Sequence, residues 1–166
     1  MDQLRRSLTV VVCATLLAGC GASPPPAWAG AFGSAEGLAA ALVAHMRAGD
    51  VRALEGLALS EHELRATVWP HLPASRPEVG MDWDYFWRDH AQRSGGHLRT
   101  MAAAQRGREY ELVAVAFDGR STFGPVTVHR EPALDLRAGG QIVRIRLSGA
   151  MVERDGQWKL YSYVVD

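Results

Sequence analysis

The hydrophobic pattern of this chain changes its period near Gly107, and this change limits the folds that are open to it. Before Gly107, apolar residues recur at spacings of three and four; after it, they alternate with polar residues. The first period is typical of helices and the second of strands. We therefore expect a single α+β domain over residues 34–166, in which N-terminal helices pack on one face of a curved antiparallel meander sheet of four to five strands.

Three helix starts are marked by residues that cap helices. Ser34 can begin a helix that Gly49 ends, and Asp50 can begin a second one. Ser60 and Glu63 form a capping box that predicts a third start, and Pro70 should stop that helix. The residues expected to face the core from the first two helices are Leu38, Leu42, Val43, Met46, Val51, Leu54 and Leu57.

A fourth helix, over residues 82–94, carries large aromatic side chains on one stripe. Trp83, Phe86, Trp87 and His90 recur at i, i+3, i+4 and i+7. Such a stripe is usually core, and each large side chain contributes on the order of 1.5 to 3 kcal/mol when buried. We expect Gly95-Gly96 to end this helix and residues 97–106 to form a further one.

The same stripe also supports a functional interpretation. Trp83, Phe86, Trp87 and His90 could line a ligand-binding pocket. A catalytic dyad could then be formed by His90 with Asp84 or Asp89, or it could use His129 on the second strand.

Two Asp-Gly pairs lie between β-rich runs in the second half of the chain. Asp118-Gly119 and Asp155-Gly156 each predict a hairpin. A short strand over residues 133–137 should turn at Gly139-Gly140. Each turn should join two consecutive strands, so that neighbours in the chain are also neighbours in the meander.

The last hairpin can be interpreted by face. A two-residue turn at Asp155-Gly156 pairs Glu153 with Trp158 and Met151 with Leu160, and places this apolar face against the helices. Ser148-Gly149 is a candidate bulge. The opposite face, expected to meet solvent or a protein partner, holds Arg144, Arg146, Ser148, Lys159, Tyr161 and Tyr163.

The N-terminus has the layout of a cleaved export signal. Arg5 and Arg6 precede an apolar run over residues 8–17, which is shorter than the roughly twenty residues that span a membrane. Small residues then lead to a cysteine in Leu17-Ala18-Gly19-Cys20. This motif resembles the lipobox of bacterial lipoproteins.

The lipobox resemblance implies an anchored protein. Residues 1–19 would be the signal peptide, and Cys20 would carry lipid that attaches the mature chain to a membrane of the cell envelope. Residues 20–33 would form a proline-rich tether with a reach of roughly 40 Å. Gly21 after the lipidated cysteine implies the outer membrane, facing the periplasm, rather than the inner membrane in a two-membrane organism.

A second resemblance lies in the last hairpin. The last hairpin contains Asp155-Gly156 and Trp158 within residues 152–160. This segment is similar to the closing hairpin of the nuclear transport factor 2-like superfamily. The resemblance implies a cone between helices and curved sheet that binds a small apolar molecule or holds an active site.

Composition and motifs exclude several functions. Removing Asp2, Arg5 and Arg6 with the signal leaves 16 basic and 17 acidic residues, without the basic excess of nucleic-acid-binding proteins. Cys13 leaves with the signal and Cys20 carries lipid, so no thiol remains for a metal site or a nucleophile. Dinucleotide and metalloprotease motifs are also missing. We expect no cofactor and no metal.

Two functions remain open on the sequence. The first is a non-catalytic envelope lipoprotein that binds a small apolar ligand or an envelope protein. The alternative is a cone-type isomerase or hydrolase that uses His90.

Overall fold

The computed structural model describes residues 27–165 of the chain and shows an α+β architecture. Its helical half contains α1 (Ala35–Ala48), α2 (Val51–Leu57), α3 (Glu61–Glu63) and the long α4 (Trp83–Gln105). The signal, the lipobox and Cys20 lie outside the described residues. Within the described part, no helix combines the length and hydropathy needed to cross a membrane.

The predicted helix starts are confirmed. The Ser34 side chain accepts a hydrogen bond from the Gly37 amide, and Gly49 ends α1 at a φ of 68°. Asp50 caps α2 in the same way. Ser60 and Glu63 form both bonds of the capping box.

The third helix is shorter than expected. After one turn, α3 widens into a π-helical turn over Leu64–Val68 and then tightens into 3₁₀ turns over Trp69–His71 and Pro73–Ser75. Pro70 lies in the first turn of the 3₁₀ segment, where its missing amide costs no hydrogen bond. The irregular segment brings Leu64, Val68 and Leu72 to one buried cluster.

Our expectation that Gly95-Gly96 ends a helix is wrong. The predicted helices over residues 82–94 and 97–106 are one continuous α4 of 23 residues. Neither glycine has a positive φ, the backbone state that normally ends a helix at glycine. Both ends of α4 are buried, at Trp83 and at Leu98 and Ala102, so tertiary packing holds the helix through its weak centre.

The strands form two antiparallel sheets rather than one meander of four to five strands. One sheet has the order β1-β4-β5 and the other β2-β3-β6-β7. Their bounds are β1 Glu111–Ala116, β2 Gly119–Phe123, β3 Val126–Arg130, β4 Ala133–Ala138, β5 Gln141–Ile145, β6 Ala150–Arg154 and β7 Gln157–Ser162.

The hairpin at Asp155-Gly156 is confirmed and the one at Asp118-Gly119 is wrong. Asp155 and Gly156 both have positive φ, as a type I′ turn requires, and β6 pairs Glu153 with Trp158 as expected. At Asp118-Gly119 the chain instead leaves β1 and enters the other sheet, because β1 pairs with β4. The turn between β2 and β3 lies at Gly124-Pro125.

The chain changes from one sheet to the other at the candidate bulge, Ser148-Gly149. β5 ends at Ile145 and β6 begins at Ala150 in the other sheet. Gly149 passes so close to Val164 that no side chain fits there. A register shift at Ala150 and Met151 pairs Ala150, not Gly149, with Ser162.

Both faces of the four-stranded sheet are covered. We expected one face to meet solvent or a partner, and for four of the six residues assigned to that face this is wrong. Ser148, Lys159 and Tyr163 are buried, and Tyr161 is half-buried. Arg144 and Arg146 are the more exposed members of that set. The helical half therefore packs against both faces of the sheet, not one.

The sheet separates two cores. The aliphatic core joins Leu38 and Leu42 of α1 to Met151 and Leu160 of the sheet. The aromatic core lies on the other face. Its buried members are Trp28, Leu59, Leu64, Val68, Leu72, Trp83, Val126 and Val152.

Residues 28–32 form an N-terminal strap along β7, although the sequence assigns them to the tether. Trp28 is buried, and its indole donates to Thr67 Oγ1 at 2.9 Å. Phe32 and Trp158 exchange two backbone hydrogen bonds. Part of the expected tether thus belongs to the packed structure.

A buried ion pair holds this strap. Lys159 Nζ donates to the Ala29 carbonyl and to Glu63 Oε2, each at 3.0 Å. Burial raises the pKa of Glu63, but hydrogen bonds from Ser60, Lys159 and Ala29 outweigh it, and the pKa lies below its usual value. Glu63 therefore carries its charge at neutral pH.

Candidate functional site

The aromatic stripe of α4 forms a ladder of ring contacts. Trp83 and Trp87 stack with centroids 6.1 Å apart, and His90 stacks on Phe86 at 5.5 Å and on Trp87 at 5.8 Å. Tyr161 of β7 meets the edge of His90 at 5.1 Å. The structure thus brings the four predicted stripe residues together and adds a tyrosine from the sheet.

α4 passes from one core to the other, and the site lies at this transition. Trp83 at its N-terminal end belongs to the aromatic core, and Leu98 and Ala102 belong to the aliphatic core. His90 lies between them, where the helix leaves one packed surface before it reaches the next. Two clefts open on either side of His90.

His90 is neutral at physiological pH. Burial lowers its pKa, while a backbone hydrogen bond to Tyr161 and the charge of Asp89 oppose this more weakly. A neutral imidazole that donates from one ring nitrogen keeps the other as an acceptor. His90 can therefore accept a hydrogen bond or a proton from a bound molecule.

The two carboxylates proposed as partners of His90 lie elsewhere. Asp84 is six residues before His90, which places it about 240° around the helix axis. Asp89 Oδ2 lies 3.9 Å from Arg93 Nη1. Neither carboxylate forms a hydrogen bond with His90 among the described residues.

The polar cleft has a volume of about 310 Å³ and lies between α4 and the end of β7. Arg93 and Asp89 supply charges of both signs at its wall, and Tyr161 supplies a phenol. Burial raises the pKa of Tyr161 to about 12, so this phenol is neutral. The lining residues are Phe86, Asp89, His90, Arg93, Gly149, Ala150, Tyr161, Ser162 and Val164.

The apolar cleft, also of about 310 Å³, lies between α4, the end of α2 and the C-terminal segment. Its size is at the lower end of the range of small-molecule sites. The lining residues are Glu55, Ala58, Leu59, Trp87, His90, Ala91, Ser94, Gly95, Leu98 and Tyr163.

The polar groups of the apolar cleft are largely fixed by the fold. Tyr163 donates its hydroxyl hydrogen to the Leu54 carbonyl at 2.5 Å, and its backbone amide donates to Ser94 Oγ at 3.0 Å. These bonds hold the C-terminal segment against α2 and α4. The wall is therefore preformed, and the space beside Gly95 remains open.

His129 and Glu153 form a second site that contains a histidine. The sequence analysis did not predict that these two residues pair. His129 Nε2 lies 3.1 Å from Glu153 Oε2, and the His129 ring packs against Trp158 at 4.5 Å and Phe117 at 5.0 Å. Register explains the contact, because Glu153 is diagonal to His129 across β3 and β6. The sequence could have shown this pair only with the strand partners known.

The aromatic ladder and the two clefts are the features of this site that could hold a small molecule. Among residues 27–165, no group of three His, Cys, Asp or Glu side chains could hold a metal ion. The Trp, Phe and His ladder and the two clefts provide an apolar surface with one neutral hydrogen-bonding ring. Comparisons of the chain with protein-family models, with curated proteins and with solved structures find no match.

Proposed function

We propose that this chain is a lipid-anchored envelope protein that binds a small apolar ligand in the apolar cleft without chemically changing it. The observation that carries the proposal is the position of Gly95 within α4, at the wall of this cleft. A helix-interior glycine costs roughly 1 kcal/mol relative to alanine. Gly95 leaves open the space that a side chain would occupy.

A matched pair of substitutions tests the binding function. Gly95→Leu adds a side chain at a position that lines the cleft, where the added Cβ would meet only the Arg99 guanidinium, at 3.5 Å. Gly96 does not line the cleft, and an added Cβ there meets nothing within 4 Å. In the mature chain with Cys20→Ser, a neutral probe such as N-phenyl-1-naphthylamine should lose at least about fivefold in affinity with Gly95→Leu, since overpacking costs about 1 to 3 kcal/mol. Gly96→Leu should bind as the parent does. Equal binding by both variants would contradict the proposal.

Native mass spectrometry provides an independent measurement. The mature chain should retain a small molecule after purification, and the Gly95→Leu variant should not. A parent chain that carries no ligand and takes up no apolar probe would contradict ligand binding. It would then favour an envelope protein as the partner.

The membrane anchor is proposed from the lipobox. Because the strap begins at Trp28, only a short stretch separates Cys20 from the packed domain. At about 3.5 Å per residue, the chain from Cys20 to Ala27 can reach roughly 25 Å. This is shorter than the roughly 40 Å expected from the full tether, so the strap end of the domain stays near the bilayer.

Palmitate labelling tests the anchor. The parent chain should incorporate labelled palmitate and fractionate with membranes, in the outer membrane if the organism has two. Cys20→Ser should lose both properties. Membrane attachment that survives Cys20→Ser would contradict a lipid anchor at this residue.

The fold is proposed to be a variant of the nuclear transport factor 2-like cone. Its support is the final hairpin, in which Glu153 pairs with Trp158, and the packing of helices against antiparallel strands. Cross-strand NMR contacts that continue from β5 through residues 146–149 into β6 would favour one bent cone sheet. Their absence would contradict it.

The isomerase or hydrolase alternative keeps one supporting observation. A general base must be unprotonated and within reach of the substrate. His90 is neutral and lines both clefts. Substitution His90→Ala should abolish turnover of any substrate if this alternative holds. Retained turnover would eliminate it.

A further inference from the structure

We propose that the apolar cleft selects an apolar ligand that carries a positive charge, of the class of hydrophobic amines. The inference rests on the ligand-binding function proposed above and adds the charge of the ligand. It is argued from the charged and polar groups that line this cleft.

The lining of the apolar cleft contains one carboxylate and no lysine or arginine. The nearest cation that the glycine geometry shows is the Arg99 guanidinium, 3.5 Å from a Cβ placed on Gly95. Glu55 lies at the end of α2, beside Ala58 and Tyr163, and it is exposed. Among the described residues, Glu55 takes part in no ion pair of 4.0 Å or less. An ammonium group at the mouth would gain this partner, whereas a ligand carboxylate would face it as a like charge.

The charge of Glu55 acts on the cleft wall. Burial raises the pKa of the Tyr163 hydroxyl, and the negative charge of Glu55 raises it further. The same field that disfavours a phenolate at the wall favours a cation beside it.

Two aromatic residues of α4 are also compatible with a cation. Trp87 lines the cleft with an uncharged ring. His90 lines it as a neutral ring, because burial lowers its pKa, and therefore does not repel a cation at neutral pH. The remaining wall, formed by Leu59, Ala91 and Leu98, suits the apolar body of the ligand.

The polar cleft gives no such preference. Arg93 and Asp89 both line it and lie 3.9 Å apart, so their charges largely cancel. Of the two clefts beside His90, the apolar one therefore carries the preference for cations. Substitutions at Glu55 should reveal it.

Three probes of equal chain length test the charge preference: decylamine, decanol and decanoate, titrated calorimetrically into the mature Cys20→Ser chain at roughly pH 7.5. Decylamine should bind most tightly and decanoate most weakly, by about tenfold between them. Glu55→Gln should weaken decylamine by about threefold to fivefold, as expected for a partly exposed ion pair, and leave decanol unchanged. Glu36→Gln, at the exposed start of α1, is the matched control and should change nothing.

The outcomes separate this inference from the function on which it rests. Decanol that binds the parent and is lost with Gly95→Leu supports the ligand-binding function by itself. If decanoate then binds as tightly as decylamine, or if Glu55→Gln leaves decylamine unchanged, the preference for cations is overturned while ligand binding stands. If none of the three probes binds, both proposals are overturned.

Discussion

The two faces of the four-stranded sheet are both buried, but by different means. On one face, Met151 and Leu160 contact aliphatic side chains of α1 and α2 in the aliphatic core. On the other face, Val126 and Val152 contact tryptophans and the irregular segment after α3. Lys159, which pairs with Val152 across the strands, lies on this second face.

The two cores make different contributions to the fold. One mainly stabilises it, and the other also fixes the position of the N-terminal strap. The aliphatic core depends on area and shape, since its members have few polar atoms to satisfy. The aromatic core buries polar groups whose partners lie far apart in the chain, such as Thr67 with the Trp28 indole. Those hydrogen bonds determine where the strap lies.

Position 154 belongs to the same polar arrangement. The Arg154 guanidinium is buried and lies 4.8 Å from the centroid of the Trp28 ring. A cation over an indole contributes more when both groups are desolvated. Arg154 and Lys159 therefore both act on the strap, from neighbouring strands.

The largest effect is expected for a truncation in the aliphatic core. Leu38 is fully buried, and Leu38→Ala should lower the free energy of unfolding by about 2 to 5 kcal/mol through lost transfer energy and a cavity. Urea unfolding of the mature Cys20→Ser chain measures it. The control is Val113→Ala, at a 44% exposed position, which should change the free energy of unfolding little. Comparable losses of stability for Leu38→Ala and Val113→Ala would contradict the distinction between core and surface.

A slightly smaller loss is expected on the aromatic face. Lys159→Met leaves the largely buried Glu63 carboxylate without its cation and should cost about 2 to 3 kcal/mol. Glu63→Gln should cost less in the Lys159→Met chain than in the parent, because it then also removes an uncompensated charge, while the loss of its bonds to Ser60 and Ala29 is common to both. Additive losses in the double variant, measured by the same urea unfolding, would show that the two residues are not coupled.

The strap hydrogen bond should contribute less. Thr67→Val removes the acceptor of the Trp28 indole and should cost about 1 to 2 kcal/mol, since a buried donor is left unsatisfied. Urea unfolding of Thr67→Val and the parent measures the loss. Thr100→Val, on the exposed side of α4, is the control and should stay within about 0.5 kcal/mol of the parent.

The smallest effect concerns the helix that joins the two cores. The pKa of folded His90 lies below its unfolded value of 6.5, so the unfolded chain binds more protons in this range. The stability from a neutral His90 is present above about pH 6.5 and is lost as the pH falls below it. His90→Gln should therefore lose less stability than the parent between about pH 7.5 and pH 5.5.

Paired thermal unfolding curves at several pH values measure this difference. The lowered pKa of Glu63 affects stability only below its ordinary value of 4.5, outside this range. The remaining histidines are common to both proteins. Parallel pH profiles for the parent and His90→Gln would contradict a buried neutral imidazole.

Local signals in the sequence predicted local structure well. Ser34, Asp50 and the Ser60–Glu63 pair each cap a helix by bonds to residues three positions away. Asp155-Gly156 forms its turn through two neighbouring backbones with positive φ. Such features depend on a few adjacent residues, so they can be recognised without knowing the fold.

Errors arose where distant segments decide the outcome. Asp118-Gly119 looks like a hairpin turn, but the partner of β1 is β4, and no local pattern shows that pairing. Lys159 and Tyr161 have the polarity of a solvent-facing strand, yet the strap and α4 cover them. The stripe of Trp83, Phe86, Trp87 and His90 was predictable from helical spacing, whereas the two clefts beside it were not.

The sequence by itself determined the order of helices before strands, the caps, the final turn and the aromatic stripe of α4, because each depends on spacing and on the conformational preferences of neighbouring residues. Only the tertiary structure decided that the strands divide into two sheets and that α4 continues through Gly95-Gly96. It also decided that a buried lysine holds the N-terminal strap. These features arise from contacts between residues far apart in the chain, whose burial outweighs local preferences.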